Sequence, residues 1–165
     1  AVVLSGDSAG GGLVFALLVA LRRAGLPDPV ACVAFSPWAD MTLKADSLRR
    51  NARTDAMLPA QRMAEVAAHY LGGADPADPR ASPVMAQFTP APPPAFIAFG
   101  KREILADDAV AMAAALRRDG GLVTLESHGE APHAWPIFAR RLREADETLV
   151  RAGAFVRDCL LECSP

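Results

Sequence analysis

Gly6-Asp7-Ser8-Ala9-Gly10 sets a serine between two glycines at the spacing Gly-x-Ser-x-Gly, with an apolar run before it and a helical pattern after it. A serine hydroxyl becomes a useful nucleophile only when a neighbouring base takes its proton. A sharp strand-to-helix turn lifts such a serine clear of a sheet and puts the free N–H groups of the helix start where an oxyanion would form. Glycines at 6 and 10 are expected to remove side chains that would collide across this turn. Ala9 N–H is the candidate oxyanion donor. A competing reading is a Gly-rich turn that holds a phosphate. The segment lacks the Lys-Ser/Thr ending of a phosphate-binding P-loop and the spacing G-x-G-x-x-G.

The base and the acid that orients it must come from elsewhere in the chain. There are three histidines. His69 falls within a helical pattern beside Tyr70. His128 and His133 follow the last strand-like run, and His133, in Glu130-Ala131-Pro132-His133-Ala134-Trp135, is the better placed. The acid is sought between the serine and the histidine, after the third strand. Glu103, Asp107 and Asp108 qualify. The two aspartates already have work at a helix start, so the order Ser8, Glu103, His133 is preferred.

The elements that must position these groups can be read from periodicity. Residues 1–4, 30–35, 95–99 and 122–125 are apolar runs of strand length. Residues 10–24, 59–71, 107–118 and 144–161 repeat apolar side chains at helical spacing, and Gly25 and Pro27 close the first of them. Residues 40–55 are polar with room for a short helix, and residues 72–94 form an irregular, proline-rich excursion. Strands and helices alternate, which predicts an α/β fold: a mostly parallel sheet of about four strands flanked by helices on both sides.

Composition narrows the function classes. The 165-residue chain has 52% hydrophobic residues and a net charge of −2, enough for one packed domain. No basic surface points to nucleic acid, and no apolar run is long enough for a transmembrane segment. Cys32, Cys159 and Cys163 are an odd number, which gives no disulfide framework. Cys159 and Cys163 could face each other one helical turn apart, but no histidine or aspartate completes a metal site. Reduced thiols favour a cytoplasmic setting. The chain opens on Ala1-Val2-Val3-Leu4, which looks like the middle of a strand, so upstream sequence is expected.

With these segments together, the chain resembles the hormone-sensitive-lipase-like esterases, also called family IV or the α/β-hydrolase fold-3 group. The resemblance rests on Gly6-Asp7-Ser8-Ala9-Gly10-Gly11, Ser36-Pro37-Trp38-Ala39-Asp40-Met41-Thr42 and Ser82-Pro83. It continues in Gly100 with Glu103-Ile104-Leu105-Ala106-Asp107-Asp108, and in Glu130-Ala131-Pro132-His133-Ala134-Trp135. It implies hydrolysis of small carboxylic esters with Ser8 as nucleophile, Glu103 as acid and His133 as base, and with no metal or organic cofactor. It also implies that residues 1–165 are the C-terminal part of a catalytic domain, and that pairing of two chains would use residues 122–161. Two departures stand out. The family often has Asp-Pro-Leu where this chain has Glu103-Ile104-Leu105, and its His-Gly-Gly-Gly segment, which supplies further oxyanion donors, is absent here. Weak or no turnover by the isolated chain is therefore expected. An amidase or peptidase of the same fold, or a non-catalytic ligand-binding protein on it, are the alternatives.

Overall fold

The computed structural model describes residues 1–162. Cys163 lies outside them, and with it the expectation that it faces Cys159. Four strands, β1 (Val3–Asp7), β2 (Ala31–Phe35), β3 (Ala95–Gly100) and β4 (Val123–His128), form one sheet in the order β1-β2-β3-β4. Every neighbouring pair is parallel, with Gly6 opposite Ala34, Ala34 opposite Ile97 and Ile97 opposite Leu125. β2 and β3 are buried along their whole length. That is why they read as unbroken apolar runs, since a central parallel strand is covered on both faces.

The helices are α1 (Ala9–Arg23), the single turn α2 (Ser47–Arg50), α3 (Met63–Leu71), α4 (Ala106–Arg118) and α5 (Arg143–Glu162). Alternation along the strands sorts the core into two halves. Cys32, Ala34, Ala95, Ile97 and Phe99 face α1 and α4, where they meet Phe15, Leu18, Met112 and Leu116. Val33, Phe35, Phe96 and Ala98 face α5 through Ala145, Ala152 and Phe155. Phe96 stacks edge-on to Phe35 at 6.4 Å and lies 5.8 Å from Phe155, linking β2, β3 and α5. Truncating such a buried ring to alanine costs about 3–5 kcal/mol. The expected helix-covered parallel sheet is therefore the observed one. Charge also suits α4, with Asp107 and Asp108 in its first turn and Arg117 and Arg118 in its last.

Two strands run further than their apolar side chains suggested. β1 continues through Ser5, Gly6 and Asp7, and β4 through Ser127 and His128. Pairing with β2 and β3 supplies the backbone partners there, whatever the side chains are. The predicted helix at residues 59–71 is a 3₁₀ turn, Ala60–Arg62, leading into α3. Among the described residues no helix is long and apolar enough to cross a membrane. All four strands point the same way, so the loops that leave their carboxyl ends converge. Those loops carry Ser8, Ser36, Glu103 and His133, at the end of a parallel sheet where ligands bind.

Candidate active site

Ser8 joins β1 to α1 at φ 55° and ψ −124°, a conformation that costs a residue with a side chain about 1–3 kcal/mol. Three backbone bonds enforce it. Ser8 N–H donates to Phe35 O at 2.9 Å, and Ser8 O accepts from Gly12 N–H at 3.1 Å and Trp38 N–H at 2.9 Å. A Cβ on Gly6 would overlap the Gly10 carbonyl, and one on Gly12 would overlap the Trp38 carbonyl. Gly10 differs from expectation, because a Cβ there would meet nothing within 4 Å. The tight turn needs the Gly10 carbonyl close to Gly6, and does not need the hydrogen on Gly10. Ala9 opens α1. Gly12 makes the helix's first bond, to Ser8 O, so Ala9 N–H has no acceptor within the helix.

His133 comes from the loop after β4 and is 3% exposed; Glu103 follows β3 and is 1% exposed. His133 Nε2 lies 2.8 Å from Ser8 Oγ, and His133 Nδ1 lies 3.3 Å from Glu103 Oε2. These partners assign the tautomer: Nδ1 carries the proton toward the carboxylate, and Nε2 is free to accept from the serine. The Nδ1 contact is close enough for an ion pair but is not aligned as a hydrogen bond. Such contacts tighten when substrate binds. Gly100 makes room for this approach, since a Cβ there would press on Ala131 O and come within 3.4 Å of Glu103 Oε2. A cleft of about 250 Å³ opens beside the pair, lined by Thr54, Asp55, Arg102, Glu130 and Pro132.

The other candidates are engaged elsewhere. Asp107 accepts Ser47 N–H at 2.8 Å and pairs with Arg50 at 2.7 Å. Asp108 accepts the N–H groups of Ala39 and Asp40, and burial pushes its carboxyl up to about 7 despite those two bonds. His128 ends β4, and its Nδ1 accepts Ala131 N–H at 3.0 Å, which shapes the loop that carries His133. His69 is exposed on α3, with Nδ1 3.1 Å from Glu65 O. Ser36 was quoted in a motif but given no role by sequence reasoning. Its Oγ donates to Glu103 Oε2 at 2.7 Å and accepts Ala134 N–H at 2.9 Å. No cluster of three or more His, Cys, Asp or Glu side chains suited to a metal occurs among the described residues.

A family model described as alpha/beta hydrolase fold matches residues 1–137. An acetyl-hydrolase of Streptomyces hygroscopicus is 40% identical over 156 residues, covering 94% of this chain and 52% of that protein. Esterase LipU of Mycobacterium tuberculosis is 30% identical over 164 residues, covering 95% of this chain and 54% of its own length. Among solved structures, an esterase from the bacterial hormone-sensitive lipase family superposes with a TM-score of 0.91 at 42% identity, covering 94% of this chain and 52% of that one. The chain thus spans about half the length of the relatives it matches. Motifs, sheet order and relatives agree that the chain belongs to the α/β-hydrolase fold family, in its hormone-sensitive-lipase-like branch.

Proposed function

We propose that this chain carries the reacting groups of a serine carboxylesterase and forms part of its catalytic domain. Ser8 is the nucleophile, His133 the base, Glu103 the acid and Ala9 N–H one oxyanion donor. The observation that carries the reading is the 2.8 Å contact between Ser8 Oγ and His133 Nε2, backed by Glu103 behind the ring. The names of the relatives, acetyl-hydrolase and esterase, support esters of acetate and other short acids as substrates.

The reaction runs in two halves. Ser8 Oγ attacks the ester carbonyl while its proton passes to His133 Nε2. Ala9 N–H meets the negative oxygen of the tetrahedral intermediate. His133 returns the proton to the leaving alcohol, and Ser8 is left acylated. Water then gives a proton to His133 and attacks the acyl carbon, the Ser8 Oγ–acyl bond breaks, and His133 returns the proton to Ser8 Oγ as the acid leaves. Glu103 holds the ring in the required tautomer and offsets the imidazolium charge in both halves. Loss of one oxyanion donor slows such reactions by about 100- to 1000-fold.

A fluorophosphonate probe tests the reading, because it reacts with an activated serine and demands less of the acyl site than a substrate does. The 165-residue chain is expected to be labelled at Ser8, and Ser8→Ala to be unlabelled. A folded chain that is not labelled, or labelling that survives in Ser8→Ala, would overturn the assignment.

A further inference from the structure

Ser36 is the first residue after β2, fully buried, with φ at 49°. That backbone conformation suits glycine and strains any residue with a Cβ. The hydroxyl is engaged on both sides. Its oxygen accepts Ala134 N–H, which directs its own proton to Glu103 Oε2. The oxygen that receives this proton is the one that faces His133 Nδ1. Ala134 directly follows His133 and is also held at positive φ, 49°. One hydroxyl thus touches the acid and the backbone beside the base, across separations of 67 and 98 residues.

Glu103 has three side-chain torsions and is 1% exposed, and its Oε1 has no hydrogen-bond partner among the described residues. Among the described residues Ser36 Oγ is the one well-aligned donor to the carboxylate; the His133 contact is longer and off-line. From this we infer that Ser36 is a positioning residue: its hydroxyl holds Glu103 Oε2 opposite His133 Nδ1 and sets the His133 loop at the matching distance. The inference rests on the proposed roles of Glu103 and His133. Among the described residues the Ser36 hydroxyl bonds Glu103 and Ala134 and makes no hydrogen bond to Ser8, so it acts through the acid.

The test compares the wild-type chain with Ser36→Gly, Ser36→Ala, Glu103→Gln and the double variant Ser36→Gly/Glu103→Gln. One readout is the rate of fluorophosphonate labelling at Ser8, and the other is the downfield proton resonance of His133 Nδ1–H. Ser36→Gly relieves the backbone at φ 49° and should resist denaturant at least as well as wild type. It should nonetheless label about 10- to 100-fold more slowly, the effect of losing one hydrogen bond to a charged group, and lose the downfield resonance. In the Glu103→Gln background the same substitution should add less than about twofold, because its effect passes through the acid. Ser36→Ala, which keeps the Cβ, should match Ser36→Gly in both readouts.

A Ser36→Gly chain that labels within about twofold of wild type and keeps the resonance overturns the inference. So does a wild-type chain without the resonance. If the folded wild-type chain is not labelled at all, the proposed function fails, and the resonance alone decides whether Ser36 positions Glu103.

Discussion

Asp108 Oδ2 accepts the Ala39 N–H at 3.0 Å, which ties the first turn of α4 to the loop leaving β2. The same oxygen accepts Asp40 N–H at 2.9 Å, while Oδ1 is buried without a hydrogen-bond partner among the described residues. Burial raises this carboxyl from 3.8 to about 7, and the negative charges of Asp40 and Asp107 add to the rise. Between those two values the folded chain binds a proton that the unfolded chain does not, so stability falls as pH rises through the window. Asp78 and Asp119 are held below the usual range by Arg80 and Arg118, and their pH dependence lies at more acid values. The urea midpoint should therefore be higher at pH 5 than at pH 8, and Asp108→Asn should flatten the slope. An equal slope in the Asn variant would exclude Asp108 as its source.

Two glycines in the first turn of α1 should respond in opposite directions. Gly12→Ala drives a methyl group into the Trp38 carbonyl and is expected to cost about 1–3 kcal/mol. Gly10→Ala meets nothing within 4 Å and gains about 0.5–1 kcal/mol from helix propensity. Thermal unfolding of the two variants beside wild type checks both signs.

The strain at Ser8 has a measurable counterpart. Ser8→Gly removes the Cβ from a residue at φ 55° and should stabilise the fold by about 1–3 kcal/mol. The same change should abolish labelling by the fluorophosphonate. A glycine variant no more stable than Ser8→Ala would show that the elbow stores no strain.

Cys32 should be chemically silent in the folded chain. It is 1% exposed near the start of β2, and burial pushes its thiol up to about 12. Iodoacetamide at pH 8 should leave Cys32 unmodified until urea unfolds the protein, and mass mapping of the alkylated peptide measures this. Modification of the native chain would mean that β2 opens far more readily than its burial implies.

What could be read from the sequence was mostly what is local. The elbow around Ser8 was legible because its glycines, its strand and its helix are contiguous. Glu103 and His133 could be nominated because each follows a strand in a short loop, and the structure brings both to Ser8. The strand ends were harder. Ser5 to Asp7 look like a turn by side chain, yet they pair through backbone with Val33 to Phe35. Asp108 was read as an N-terminal helix charge, but the two N–H groups it binds lie 68 and 69 residues earlier. Ser36 was illegible for the same reason, since nothing near it in sequence reveals that its hydroxyl meets Glu103 and Ala134. Gly10 misled in the other direction. Its type suggested crowding that the folded turn places at Gly6 instead.

The Ser8–His133 contact closes a loop of 125 residues. Synthesis begins at the amino end, so Ser8 leaves the ribosome long before His133 exists. During that interval the hydroxyl is an ordinary alcohol, inert toward the esters around it. If Ser8 and His133 act as proposed, its reactivity arises only when β4 docks and delivers the imidazole, a long-range event of the kind that folds slowly. Under the proposed roles, acylation by way of His133 waits until β1 and β4 share one sheet.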